Sequence, residues 1–230
     1  PEFGYGLDGI LRERGADFRG ILNGIDDALW NPETDPHLSA PYGPQDVSGK
    51  RACKLALQQE FGLPLSQSTP LIGFVSRTTH QKMADTILAA LPWLSEQNVQ
   101  FIHLGQGEPA LEAGFISAQR AHSDRMAVHI GYDEAKAHRL QAGSDILLAP
   151  ARFEPCGMTQ LYALRYGALP IVRRTGGLAD TVVDADGRSL ADGAATGFVF
   201  NDATLESLIS AIERALAAYR QPLTWRRLQI

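Results

Sequence analysis

From Leu71 onward the chain alternates short apolar runs with longer amphipathic stretches, and that rhythm predicts its elements. Strand-length runs cover Leu71 to Ser76, Gln100 to Leu104, Ala127 to Ile130, Asp145 to Ala149, Leu169 to Val172 and Gly197 to Phe200. They are apolar along most of their length rather than strictly alternating, as expected of strands covered on both faces. Between them the spacing predicts helices over Lys82 to Leu94, Ala110 to Ala121, Glu134 to Ala142, Gly157 to Tyr166, Leu178 to Val182 and Thr204 to Tyr219, several opened by Asp, Pro or Thr. Strand and helix in turn imply an α/β fold, a doubly wound parallel sheet with helices on both faces. Ligands of such folds collect at the carboxyl ends of the strands.

Residues 1–68 have a different texture, rich in Gly, Pro, Asp and Asn, with one helical stretch from Gly49 to Phe61 stopped by Gly62-Leu-Pro64. This part reads as a linker and leader, and residues 69–230 as the folded domain. At 230 residues the chain is long enough to bury a full core. A formal net charge of −5 argues against a broad nucleic-acid surface and confines any phosphate site to a local pocket. Cys53 and Cys156 are too few for a disulfide framework, which fits a reducing cytoplasm. No apolar run approaches a membrane span and no signal-peptide pattern is present. The chain opens Pro-Glu-Phe, without Met, and in loop-like sequence, so a longer parent is expected.

The chemistry concentrates in Arg152-Phe-Glu-Pro-Cys-Gly-Met-Thr159. Glu154 stands just before a Pro-Cys-Gly turn that opens a helix. A carboxylate therefore lies beside the free backbone N–H groups of Gly157, Met158 and Thr159, with the Thr159 hydroxyl either joining them or capping the helix. Hydroxyls suit the carboxylate and phosphates suit the helix start; a nucleotide sugar carries both. Ser76-Arg77-Thr78-Thr79-His80-Gln81-Lys82 follows the first strand, so Arg77 and Lys82 face the same edge and can stabilise a departing diphosphate.

Other positions read two ways. Thr175-Gly-Gly177 either lets backbone approach a ligand or makes a tight turn before a helix; Tyr132 either stacks on a nucleobase or is an ordinary loop tyrosine. Asn23 is either a turn residue or faces a sugar hydroxyl. Gly105-Gln-Gly-Glu-Pro-Ala110 imitates a dinucleotide fingerprint, but it follows the second strand, is interrupted by Pro109 and lacks the acidic partner, so NAD binding is disfavoured. The histidines and carboxylates show no metal-ligand spacing, no cofactor is expected, and Cys156 reads as a small packing residue.

These blocks, with Gly20-Ile-Leu-Asn-Gly-Ile-Asp26, His129-Ile-Gly-Tyr-Asp-Glu134, Arg173 to Val182 and Thr196-Gly-Phe-Val-Phe200, resemble the bacterial glycogen and plant starch synthases. Those are retaining glucosyltransferases with two Rossmann-like domains facing across a cleft, the GT-B architecture. The resemblance implies that Arg77 and Lys82 bind the diphosphate of ADP-glucose, Glu154 contacts the glucose hydroxyls, and Thr159 with its neighbouring amides holds phosphate. Tyr132 would lie against adenine and Asn23 near the transferred glucose. The match corresponds to the carboxy-terminal, donor-binding half; the family's amino-terminal domain, with its acceptor contacts for an α-1,4-glucan and a catalytic His and Asp, lies outside this sequence. The family usually reads Gln-Lys-Gly where this chain has Gln81-Lys82-Met83, and Leu in place of Thr78, so Met83 is expected to bring a side chain to a normally bare helix start and weaken the donor site. Rival readings are a non-catalytic nucleotide-binding fragment and a GT-B enzyme with a different nucleotide sugar.

Overall fold

The computed structural model describes residues 6–230. At its centre is a six-stranded parallel sheet in the order β3-β2-β1-β4-β5-β6, where β1 is Leu71–Val75, β2 Gln100–Gly105, β3 Met126–Ile130, β4 Ile146–Leu148, β5 Leu169–Arg173 and β6 Phe198–Phe200. Each strand lies on the apolar run that predicted it. The order reverses where β1 and β4 pair, Ile72 opposite Ile146 and Gly73 opposite Leu147. The crevice of this Rossmann-like, doubly wound sheet therefore opens beyond the carboxyl ends of those two strands.

The helices, in chain order, are α1 (Asp8–Glu13), α2 (Ser48–Glu60), α3 (Ala84–Glu96), α4 (Pro109–Ala121), α5 (Glu134–Gly143), α6 (Thr159–Arg165), α7 (Gly176–Thr181), α8 (Gly187–Asp192), α9 (Leu205–Tyr219) and α10 (Pro222–Gln229). Alternation along each strand divides the buried side chains between two cores. Ile72, Phe74, Phe101, Ile146 and Leu148 meet Ile87 and Leu91 of α3, Phe115 of α4 and Leu208 and Ile212 of α9. Leu71, Ile102, Leu104 and Leu147 meet Leu57 of α2, Leu140 of α5 and Ala163 of α6.

α2 comes from the segment expected to be linker and leader, of which residues 1–5 lie outside the described residues. It packs against α5 and is tied to the sheet, because Lys54 pairs with Asp145 at 2.6 Å while Asp145 accepts the Leu71 amide at 2.8 Å.

Several helix limits differ from the sequence expectation. The helix expected from Lys82 begins at Ala84, since Met83 adopts φ 54° and ψ 30°, and Lys82 lies in a preceding 3-10 turn, His80–Lys82. The helix expected from Gly157 begins at Thr159, Gly157 being left-handed. Sequence reading missed α8, whose six residues are too few for a periodic signal but which Asp186 and Ser189 close with reciprocal capping bonds. It also missed α10, which has Pro222 in its first turn and buries Trp225 and Leu228.

Candidate functional site

Two loops leave the sheet at the switch point, one after β1 and one after β4. Lys82 on the first donates to the carboxylate of Glu154 on the second, although 72 positions separate them, and their side chains are only 20% and 12% exposed. The loops are also stitched together by other contacts. Arg152 grips Asp85 with both terminal nitrogens at 2.7 and 2.8 Å and donates to the His80 carbonyl. Its own amide donates to the Gln81 carbonyl at 2.8 Å, and the Gln81 side chain donates to the Phe153 carbonyl at 3.1 Å. Burial works to raise the pKa of Asp85, but the hydrogen bonds and charge of Arg152 prevail and hold it below the usual carboxylate value. Sequence reading gave Arg152 and Asp85 no role. Asp85 lies in the first turn of α3, and nothing along the chain links it to position 152.

A third segment completes the wall. The Gly177 amide donates to the carbonyls of Glu154 and Pro155, both at 3.2 Å. A Cβ on Gly176 would stand 1.9 Å from the Glu154 carbonyl oxygen, and one on Gly177 would stand 2.4 Å from the Cys156 Cα. The close approach that Thr175-Gly-Gly177 permits is thus to the Glu154 loop, with Thr175 as the residue before α7. Gln160 donates to the carbonyls of Cys156 and Gly157, both at 3.1 Å, and to the Thr181 hydroxyl at 3.1 Å, so the Cys-Gly turn is held from below. Met158 is the half-exposed residue before α6 and Thr159 its first residue. The Asn23 amide donates to Cys156 Sγ at 3.2 Å, which brings this distant segment to the same turn.

Lys82, Glu154, Gly157, Thr159 and Gln160 line a niche of about 20 Å³, room for one water. Beside it runs a cleft of about 370 Å³ lined by Arg77, Gly131 and Tyr132. The two spaces share Val75 and Ser76 and therefore adjoin at the end of β1. Tyr132 is 79% exposed, and Arg77 donates to the Gln81 side chain at 3.1 Å. Cation, carboxylate, helix start, exposed ring and second cation thus gather at a single edge. That set suits a ligand with hydroxyls, phosphates and a flat apolar end.

The structure corrects the reading of Met83. Its side chain is fully buried in the core with Phe74 and Ile87, so it does not obstruct the niche. Thr78 is also fully buried, and its hydroxyl lies 2.9 Å from Nε2 of His103, whose Nδ1 lies 3.1 Å from the Phe74 carbonyl. Nδ1–H donates to that carbonyl, so Nε2 accepts from Thr78. Burial lowers the His103 pKa to about 4. The fingerprint-like glycines have a packing cause as well: a Cβ on Gly105 would meet the Ser76 carbonyl at 1.8 Å, and one on Gly107 the Thr78 carbonyl at 2.4 Å. Cys53 and Cys156 are both free thiols.

The chain belongs to the glycosyl transferases group 1, whose family model matches residues 58–227. Within that family it is 51% identical over 228 residues to a glycogen synthase from Anaeromyxobacter dehalogenans (strain 2CP-C), covering 99% of this chain and 47% of that protein. It is 49% identical to the glycogen synthase of Serratia proteamaculans (strain 568), covering 100% of this chain and 48% of that protein. The chain thus spans about half the length of the curated relatives it matches. Among solved structures it superposes with a TM-score of 0.91 and 36% identity on the catalytic domain of starch synthase IV from Arabidopsis thaliana bound to ADP and acarbose, covering all of this chain and 48% of that one. A group 1 glycosyl transferase C-terminal domain from Francisella tularensis shares the fold at TM-score 0.61 and 15% identity, with 90% of this chain and 93% of that one covered. The chain therefore fits the carboxy-terminal part of a two-domain GT-B transferase. No helix among the described residues is long and apolar enough to cross a membrane.

Proposed function

We propose that this chain is the donor-binding half of a glucosyltransferase that moves glucose from ADP-glucose to the non-reducing end of an α-1,4-glucan with retention of configuration. The observation that carries the reading is the Lys82–Glu154 pair, which joins a cation and a carboxylate at the switch point of the sheet, next to the Arg77 and Tyr132 cleft. The likeness to glycogen synthases and to an ADP-bound starch synthase supports it.

In this reading the incoming donor exchanges the internal ion pair for one external ion pair, at Lys82, and for hydrogen bonds to Glu154. Lys82 turns to the diphosphate, joined by Arg77 and the amides of Gly157, Met158 and Thr159, while Glu154 accepts from glucose hydroxyls. Adenine lies along Tyr132, Asn23 borders the glucose, and Thr175 and Gly176 close the sugar side. As ADP departs, negative charge grows on the diphosphate, and the cations stabilise the transition state more than the ground state. Transfer on one face fits better than a double displacement, since no carboxylate here is an obvious nucleophile for the anomeric carbon. The acceptor glucan binds through the other domain.

In a protein containing both domains, Lys82→Ala and Glu154→Ala should each lower kcat by on the order of 100-fold or more. Near-normal glucosyl transfer by either variant would refute the roles. Binding of ADP to this chain, measured by calorimetry and weakened in Lys82→Ala, tests the site apart from catalysis.

A further inference from the structure

A cavity of about 560 Å³ opens at the opposite edge of the sheet, among α2, the loop before β1, the end of α9 and α10. Lys50, Arg51, Lys54, Arg220 and Arg226 line it, with Asp145 as the one carboxylate among its lining residues. Five cations thus converge in a chain whose formal net charge is −5. Asp145 is committed to Lys54 and to the Leu71 amide. Lys50 is 6% exposed and donates to the carbonyls of Ala142 and Tyr166, both at 2.9 Å, with no ion-pair partner among the described residues. Burial lowers its pKa to about 8. Arg226 donates from one nitrogen to the Pro44 carbonyl at 3.0 Å, while its Nη1 is enclosed and has no hydrogen-bond partner among the described residues. Arg51 and Arg220, at the exposed rim, form no ion pair among the described residues.

Enclosed cations without counter-charges cost stability, and a concave wall of one sign focuses its field on an incoming ion. Arginine forks fit phosphate oxygens in pairs. The concavity, about 560 Å³, has the volume of a small-molecule site. We propose that this cavity binds a small multivalent anion of the phosphate-ester or diphosphate class, at a site separate from the niche of Lys82 and Glu154. The sites lie at opposite ends of β1, whose five residues span about 16 Å.

Inorganic pyrophosphate is a suitable probe, titrated calorimetrically into this chain. Because it can also enter the niche, the titration uses a Lys82→Ala background. Saturable binding should persist there and weaken at least tenfold when Arg51→Glu and Arg220→Glu are added. The neutral pair Arg51→Gln and Arg220→Gln, which has less effect on folding, should give an intermediate loss, with the thermal unfolding midpoint of each variant as the control for folding. No binding in the Lys82→Ala background, or binding indifferent to both rim substitutions, would overturn the proposal. Neither outcome bears on the donor reading, which Lys82→Ala tests through ADP and glucosyl transfer.

Discussion

Met83 carries two opposed energies that substitution can separate. Its backbone sits at φ 54°, the only positive value outside glycine among the described residues, while its side chain is fully buried in the core. The left-handed conformation costs a residue with a Cβ about 1 to 2 kcal/mol. Truncating a buried methionine costs about 2 to 5 kcal/mol. Met83→Gly relieves the first and suffers the second, and glycine's extra freedom in the unfolded chain adds about 0.5 to 1 kcal/mol against it. The sum is a net loss centred on about 3 kcal/mol, within a span of about 0.5 to 5 kcal/mol. Met83→Ala loses the same packing but keeps the strain, so alanine should be no better than glycine here, and up to about 1 kcal/mol worse. This inverts the usual preference of roughly 1 kcal/mol for alanine at a helix position. Urea unfolding of the three proteins, with unchanged slopes, measures the order. An alanine variant clearly more stable than the glycine variant would show that Met83 is not strained, and the account would fail. Because the side chain points into the core, both variants should keep the ADP affinity of the parent within about twofold; a large gain for Met83→Gly would restore the view that Met83 obstructs the donor.

The neutral, enclosed His103 makes stability sensitive to acid. Its folded pKa of about 4 lies below its ordinary 6.5, so the unfolded chain binds the extra proton first, and stability present above pH 6.5 should be lost as pH falls toward 4, by roughly 3 kcal/mol in all. Chemical unfolding across that window should show a steeper decline for the parent than for His103→Gln; parallel curves would sink the assignment. Gly177→Ala should destabilise by about 1 to 3 kcal/mol and weaken ADP binding, since its Cβ would force the Cys156 backbone away from 2.4 Å and shift the Glu154 loop. Gly187→Ala, where a Cβ meets nothing within 4 Å, is the matched control and should be neutral in both assays.

Much of this molecule is written in local pattern. Runs such as Leu71 to Ser76 and Leu169 to Val172 are apolar along most of their length because their strands are covered on both sides, and that signal survives without any knowledge of neighbours. The strand-helix alternation carried the fold class, and the residues just past β1 and β4 were legible as candidates because such sheets present ligands at that edge. Short helices such as α8 were not, since six residues complete too few turns for a period to emerge. Nor was the left-handed Met83, whose conformation follows from its place between the turn and α3 rather than from its residue type.

Pairing belongs to the tertiary structure alone. Lys82 with Glu154, Arg152 with Asp85, and Thr78 with His103 meet because strand order brings their loops and strands together, and separations of 72, 67 and 25 positions leave no trace in a local window. The same holds for the glycines, whose need for close backbone contact became visible only once the opposing loop was in view, and for the cations gathered from α2, α9 and α10 around one cavity. Periodicity determines which face of an element is buried; only the packed sheet determines which distant side chains that burial brings into contact.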